Sequence, residues 1–453
     1  MNNLIKNVKV TWSIVVTAKT SIDNINIFIK HHLDMGVDHI YIFLDSPQDF
    51  YENDNFFPSD KVKIFKCDDF FWAQREHYEC LRYSQGERPS IVEYRQYHNM
   101  LHAHSICNSE WLLMMDIDEL LYCQGSVSEI LKKYPNNIFS ILVKPIEAIY
   151  HKKAPLNFFE VFSTKYFKVH NKNHVRKWNE IYNVSEINHK SGFYGHITGK
   201  TFFRTQYPIR APSCHVSKPY ENDLGLAYIE DNLHLLHFEA QTPEYFAKKI
   251  KNRANKTFNI GFLDTPSIQR INNIINNYNT KGENYLSDIY SYMHIFDDQR
   301  LMKCIDNGLI LKIEDKHLKE SFKHKRIQTY HGDFLVLDRK ELKVIAIHEC
   351  DYNILKYCYI HIIFNLKRDD IRESAFLYVV FDNKIKYLTL NRDGFLILYS
   401  KAKAQLLDVS VQNNLFSLKF EDKFLSARKN GSLQLIAQSM KDWELFSLSD
   451  FEY

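Results

Sequence analysis

Trp111-Leu112-Leu113-Met114-Met115-Asp116-Ile117-Asp118-Glu119 is the stretch that decides the fold. The apolar run from Trp111 to Met115 fits a strand buried on both faces, as in a parallel sheet. Acids then follow at Asp116, Asp118 and Glu119. Buried like charges repel, so such a strand end calls for a compensating cation. Asp-x-Asp puts paired carboxylates at the carboxyl end of the strand, the edge where open α/β sheets bind ligands. Mg²⁺ or Mn²⁺ bound there keeps waters and grips a diphosphate. The alternative is an acidic loop that caps the next helix.

The flanking sequence alternates strand and helix. Residues 10–17 (VTWSIVVT) and 39–44 (HIYIFL) read as strands, the second ending at Asp45. Between them, apolar residues at 25, 28, 29 and 33 keep a helical spacing that stops at Gly36. Residues 62–65 form a short third strand, 91–107 a helix, 126–134 a further helix and 138–143 a strand. The alternation predicts a mostly parallel sheet. Neither GxGxxG nor GxxxxGK[ST] occurs, so a nucleotide has to be held through a metal and side chains. Residues 150–220 read as loops and short strands around a site mouth. Residues 242–251 start a helix, with Pro243 and Glu244 in its first turn. The chain then reads as helical to about residue 328.

At 453 residues the chain is too long for one ordinary core. Lys+Arg 58 against Asp+Glu 55 leaves a net charge of +3, which gives no reason to expect nucleic acid as a partner. The basic run at 316–326 (KHLKESFKHKR) reads as a solvated helix face, with peripheral contact to an anionic membrane or glycan as the alternative. Eight scattered cysteines without a CxxC predict reduced thiols, and no zinc set is spaced among them. The first residues lack an apolar signal core, and no window approaches a membrane-spanning length. Cytoplasmic residence, with peripheral attachment at the inner face of a membrane, is the expectation.

The tail repeats itself. Phe334-Leu-Val-Leu, Tyr387-Leu-Thr-Leu and Phe424-Leu-Ser-Ala each open an aromatic-Leu strand, followed by a polar turn and a second short strand. Asp393-Gly394 and Asn430-Gly431 are hairpin-turn pairs. Spacings of 53 and 37 residues between copies place an insertion near 367–373. The pattern resembles a β-trefoil, its last copy the fascin-like version; a generic β-sandwich is the alternative. Phe334, Tyr387 and Phe424 are expected together in its core.

Over about 240 residues, VVTAK at 15–19, HHLDMGVDHIYIFLD at 31–45, YRQYHNML at 94–101, WLLMMDIDELL at 111–121 and LHLLHFEAQTPEYFAKKIKNR at 233–253 occur in an order that resembles the GT-A glycosyltransferases of the bacterial family-2-like group. The resemblance implies an α/β fold. A Rossmann-like GT-A catalytic domain spans 1–253, a helical connector 254–330 and a β-trefoil 331–453. Where the group usually has Asn-Glu after the first strand, this chain has Ala18-Lys19-Thr20.

On the same resemblance Thr17 and Asp45 hold the nucleotide base and ribose, and Arg95 and Gln96 face the nucleotide sugar. Asp116 and Asp118 carry the metal role, Asp118 as direct ligand and Asp116 toward ribose or sugar hydroxyls. His237 is the late metal ligand, with a satisfied core histidine as its alternative; His234 lies three positions before it. Glu119 caps the following helix. The catalytic base is Glu147, Glu180 or Glu239, which spacing does not separate; Glu180 has the aromatic neighbours Trp178 and Tyr182. Lys200 and His215 are candidates for phosphate or acceptor.

The function implied is transfer of a sugar from a nucleotide sugar, first of all a UDP-sugar, to a glycan or glycolipid acceptor. The reaction is inverting and depends on Mn²⁺ or Mg²⁺, and it builds a surface polysaccharide or lipooligosaccharide. Alternatives are a carbohydrate-binding or scaffolding protein with a degenerate transferase domain, and a metal-dependent nucleotidyltransferase or phosphodiesterase.

Overall fold

The structure, a computed structural model, describes residues 10–49, 56–57, 59–75, 78, 81, 86–155, 158–182, 192–220, 224–226, 228–254, 265–313, 325–348, 351, 356–366, 372–381, 384–391, 393–398, 407–412 and 415–450. It divides into two compact units, one built on residues 1–50 and 59–321, the other on 51–58 and 322–453.

In the first unit, β1 (Trp12–Ala18), β2 (His39–Leu44), β3 (Val62–Lys66) and β4 (Trp111–Met115) run parallel in the order β4-β1-β2-β3. α1 (Ile22–Asp34) links β1 to β2; Ser21 caps it by accepting from Asn24 N. Gly36 ends the turn at φ +85°, a conformation that glycine takes without strain. α2 (Asp69–Gln74) and α3 (Val92–Ile106) precede β4. Every residue of β4 is buried. Leu112 and Met114 pack with Met100 and Leu101 of α3 and with Val15, Tyr41 and Phe43 of the sheet.

Beyond β4 the sheet changes direction. β5 (Glu119–Cys123), α4 (Val127–Leu131), β6 (Ser140–His151), α5 (Phe158–Phe162), β7 (Tyr166–Val169), α6 (Val175–Ile181), β8 (Lys200–Arg204), β9 (Ile209–Ala211), β10 (Lys218–Pro219) and β11 (Tyr228–His237) follow. β8 is antiparallel to β4 and β6, β7 to β6, and β5 to β11, whereas β11 is parallel to β6. The sheet is therefore mixed and not mostly parallel. Apolar periodicity marks a strand but carries no information on its direction. β9 and β10 pair apart from it.

α7 (Pro243–Ala254), α8 (Thr265–Lys281) and α9 (Glu283–His294) follow, then β12 (Ile295–Phe296), α10 (Asp298–Asp306) and β13 (Ile310–Lys312). The expected connector is not a separate helical body. β12 joins β6 and β13 joins β7, which buries Phe296, Leu309 and Ile310 with Ile149, Trp178 and Tyr182. No described helix is long and apolar enough to cross a membrane. Six described cysteines (67, 107, 123, 214, 304 and 358) are free thiols. Residues 316–324 of the basic run lie outside the described set; Lys325 and Arg326 begin the second unit.

The second unit is a curled antiparallel sheet of β14 (Lys325–Thr329), β15 (Phe334–Asp338), β16 (Val344–Ile347), β17 (Tyr357–Leu366), β18 (Arg372–Phe381), β19 (Lys384–Leu390), β20 (Leu396–Leu398), β21 (Leu407–Gln412), β22 (Leu415–Phe420), β23 (Lys423–Ala427), β24 (Leu433–Ala437) and β25 (Phe446–Asp450). Hairpins β15–β16, β19–β20 and β23–β24 are the repeated units. They interlock cyclically: Leu398 N donates to Leu342 O (2.9 Å), Leu435 N to Gly394 O (2.8 Å) and Ala346 N to Gly431 O (2.9 Å). All three accepting turn residues have positive φ: 51°, 78° and 77°. Residues 367–371 of the expected insertion are not described; the strands flanking them, β17 and β18, pair along most of their length.

The expected aromatic core of the repeats is displaced by one residue. Leu335, Leu388 and Leu425, each following the aromatic, fill the shared core. Phe334 instead packs with Val336, Tyr357 and Tyr359, and Phe424 is half-buried with Lys419 over its ring. The side chain of Tyr387 is outside the described set. Successive strand residues face opposite sides, so the repeated aromatic and the repeated leucine cannot both point inward.

Candidate functional site

The site forms where β4, β5, β6 and β11 end side by side. Register puts His237 of β11 opposite Glu119 of β5 and, on its other edge, opposite Glu147 of β6. The turn from β4 to β5 keeps Asp116 and Asp118 beside them, and Phe238 N donates to Asp118 O at 2.8 Å. Glu119 does not cap a helix. It opens β5, and its Oε2 accepts from Asp116 N at 2.9 Å, bracing the acidic turn. The helix expected over 126–134 is confined to α4, and Ser126 makes no side-chain cap bond there.

Asp116 is 30% exposed, and donors reach both its oxygens: Gln96 Nε2 at 2.9 Å and Lys200 Nζ at 2.6 Å. Burial of the group favours the neutral acid, but the Lys200 ammonium holds the Asp116 carboxyl well below the usual range. Asp118 is the opposite case. Burial pushes its carboxyl up against the pull of Lys249, 3.6 Å away, and of His237. Two acids of one motif thus differ because only one has a close cation.

His237 Nε2 lies 3.3 Å from Glu239 Oε2. Burial disfavours a charged ring, but Glu239 and Asp118 outweigh it and raise the His237 pKa to about 9. His237 is therefore no satisfied core histidine: its Nδ1 is buried with no hydrogen-bond partner among the described residues. Glu239 is buried, with Lys249 Nζ at 2.8 Å and Arg253 Nη2 at 3.6 Å; these cations and His237 hold its carboxyl far below the usual range against the effect of burial. Asp118, His237 and Glu239 present ligand atoms within 4.8 Å of one another, as do Glu119, His196 and His237. A histidine flanked by carboxylates, at the end of a sheet, suits a divalent cation. Asp116 is absent from both sets.

The other expected residues divide. Thr17 Oγ1 accepts from Asn99 Nδ2 at 2.9 Å. Asp45 and Arg95 meet each other directly: Nε to Oδ1 is 2.6 Å and Nη2 to Oδ2 is 2.8 Å, with Arg88 Nη2 a further 3.1 Å from Oδ1. Arg95 is thus spent on Asp45, while Gln96 does reach the site. Glu147 is not free to act as a base. It accepts from Lys168 Nζ (2.9 Å), Tyr194 N (2.9 Å) and Gly195 N (2.6 Å), and Lys168 keeps its carboxyl low despite burial. Glu180 is exposed on α6, and the neighbours that suggested a sugar site, Trp178 and Tyr182, belong to a buried core. His215 Nδ1 lies 2.7 Å from Gly199 O; burial and then Lys200 lower its pKa to about 4. His234 stacks on Tyr122, away from the cluster on the same strand.

Sequence reading missed His196, Lys249, Arg253 and Arg88. Lys249 and Arg253 carried a signal, because a spacing of four puts them on one face of α7. His196 carried none, since it sits in an irregular segment.

No family model matches the chain, and no curated protein matches it. Among solved structures, SeviL bound to asialo-GM1 saccharide aligns with 28% of this chain and 96% of its own, at 10% identity and a TM-score of 0.21. That likeness is too slight to assign a fold or a ligand.

Proposed function

We propose that the first unit is a GT-A-type glycosyltransferase that moves a sugar from a nucleotide sugar to a glycan or glycolipid acceptor. The second unit is read as a β-trefoil. The observation that carries the catalytic reading is the convergence of Asp118, His237 and Glu239 at adjoining strand ends. These three would hold Mn²⁺ or Mg²⁺, which when bound offsets charge on the leaving diphosphate. Lys249 and Arg253 stand against Glu239 and offer further positive charge to phosphate oxygens. Asp116 is oriented by Gln96 and Lys200 and stays partly open to solvent, so it can accept a hydrogen bond from a ribose or sugar hydroxyl. The three cyclic hairpin contacts support the trefoil reading of the tail. Free thiols suit the cytoplasmic side of a membrane, where surface polysaccharide or lipooligosaccharide precursors are assembled.

A thermal-shift screen of nucleoside diphosphates and nucleotide sugars, with and without Mn²⁺ or Mg²⁺, tests the reading. A ligand that binds only the folded state raises the melting temperature, here with one nucleotide and only with the cation present. No shift with any nucleotide would sink the transferase assignment. A second reading, a glycan-binding protein with a degenerate transferase unit, draws on Asp45, whose carboxylate is already taken up by Arg95 and Arg88. It predicts shifts with oligosaccharides and none with nucleotides.

A further inference from the structure

His237 belongs to two overlapping donor sets. It joins Asp118 and Glu239 in one, and Glu119 and His196 in the other. His196 reaches this place through a supported segment. Glu147 accepts from the backbone of Tyr194 (2.9 Å) and Gly195 (2.6 Å), while Lys168 neutralises its buried charge at 2.9 Å. Gly195 allows the close approach: a Cβ there would stand 2.8 Å from His237 Cε1 and 3.2 Å from Glu147 Oε2. The next residue therefore sits against the cluster. The His196 ring centre is 4.7 Å from that of His237, and its Nε2 is 3.2 Å from Glu119 Oε1.

The polar atoms here are poorly satisfied. Nδ1 of His196 and Nδ1 of His237 are shielded from solvent with no hydrogen bond among the described residues, while Nε2 of His196 faces Glu119 Oε1. Buried donors and acceptors without partners cost about 1–3 kcal/mol each and are rare in native folds. Two imidazole nitrogens without partners, on rings 4.7 Å apart and within reach of carboxylates, fit a ligand that binds nitrogen and oxygen together.

On the glycosyltransferase reading above, we propose that the cation is held by two imidazoles, His196 as well as His237, and that the centre selects a first-row transition ion such as Mn²⁺ over Mg²⁺. Imidazole nitrogen suits transition ions, whereas Mg²⁺ demands oxygen donors and sheds water reluctantly. Glu147 and Lys168 are positioning residues in this arrangement; they act through the 194–196 segment and touch no ligand. Sequence spacing pointed to one histidine only, because the second comes from a different part of the chain.

The test is calorimetric titration of the full chain with MnCl₂ and with MgCl₂, together with spin-echo spectroscopy of bound Mn²⁺. Wild type should bind Mn²⁺ at least tenfold tighter than Mg²⁺ and show nitrogen modulation from two imidazoles. His196→Ala should lose one imidazole signal and at least tenfold in Mn²⁺ affinity, with Mg²⁺ affinity little changed; His196→Gln should match it. A single imidazole in wild type, equal Mn²⁺ and Mg²⁺ affinity, or unaltered Mn²⁺ affinity in His196→Ala each overturns the proposal. The wild-type spectrum decides even if both variants fold poorly. Asp118→Ala separates the two levels of inference. If it abolishes cation binding while His196→Ala does not, the transferase reading stands and the two-imidazole centre falls. If wild type binds neither ion, both fall together.

Discussion

His237 and Glu119 stand opposite each other across the antiparallel β5–β11 pair, so one register contact joins the motif after β4 to the end of β11. A slip of β11 by one residue would turn His237 to the face opposite Glu119 and dissolve the site. The buried apolar run Leu233, Leu235 and Leu236 holds that register.

Asp118→Ala should abolish cation binding and sugar transfer while leaving the metal-free melting temperature unchanged or raised. Asp118 is buried with Glu239 and Asp116 close by, and its removal relieves like-charge repulsion. Chelation should mimic the loss of activity in wild type. Near-normal turnover of the variant in EDTA would refute the metal role.

Gly195→Ala should weaken Mn²⁺ binding by tenfold or more. The new methyl group would meet His237 Cε1 at 2.8 Å and Nδ1 at 3.1 Å, so the ring or the segment has to move. Overpacking of this kind costs about 1–3 kcal/mol. Paired melting curves and Mn²⁺ titrations check both effects; an unchanged affinity would mean the ring yields freely.

Lys168→Met should destabilise the first unit by about 3–5 kcal/mol, because it leaves the Glu147 carboxylate buried without its counter-charge. Glu147→Leu combined with Lys168→Met should recover part of that loss. It should not restore cation affinity, since the Tyr194 and Gly195 amides lose their acceptor. Urea denaturation of the single and double variants measures the coupling.

His294 should add to the loss of stability on the acid side, alongside the carboxylates held low at the site. Burial, then Lys168, lowers its pKa to about 3, and both ring nitrogens lie buried with no hydrogen bond among the described residues. The folded protein keeps the ring neutral while the unfolded chain protonates it near pH 6.5. Stability from this group is thus fully present above pH 6.5 and is lost as pH falls toward 3, by at most roughly 1.4 kcal/mol per pH unit. His294→Gln should flatten the fall in melting temperature between pH 6.5 and 4.5; an unchanged slope would assign it to other groups.

Leu342→Gly should stabilise the second unit by about 0.5–1 kcal/mol. Leu342 holds φ 51° at a turn where the other two copies have glycine, and its side chain is 38% exposed. A left-handed backbone costs a branched residue about 1–2 kcal/mol, which outweighs the extra entropy of glycine in the unfolded chain. A lower denaturant midpoint would show that the side chain contributes packing worth more than the strain.

Much of the parallel half of the sheet was legible, because each piece is a local pattern. The bounds of β2 and β4 agree with their apolar runs, α1 ends before Gly36 as its spacing implied, and α3 is one residue shorter at each end than the expected 91–107. Local pattern carries less where the period is ambiguous. Phe-Leu and Tyr-Leu pairs at the repeat starts are apolar at both positions, and nothing local says which one faces inward. Residues 295–296 and 310–312 were absorbed into a helical connector because two- and three-residue strands leave no periodic trace.

For the site, sequence alone determined that acids end a buried strand at Asp116 and Asp118, and that His237 follows an apolar run far downstream. These are properties of short segments and survive without knowledge of the fold. Which acid is paired, which is raised by burial and which is already spent was decided only by tertiary structure. Lys200 reaches Asp116, Lys249 stands off Asp118, Arg95 takes Asp45, and Lys168 with the 194–195 amides takes Glu147. His196 enters the cluster for the same reason. Its place follows from an irregular segment pinned to a carboxylate on another strand. Electrostatic interactions depend on distance and burial, and for residues far apart in the chain both are set by the path of the backbone.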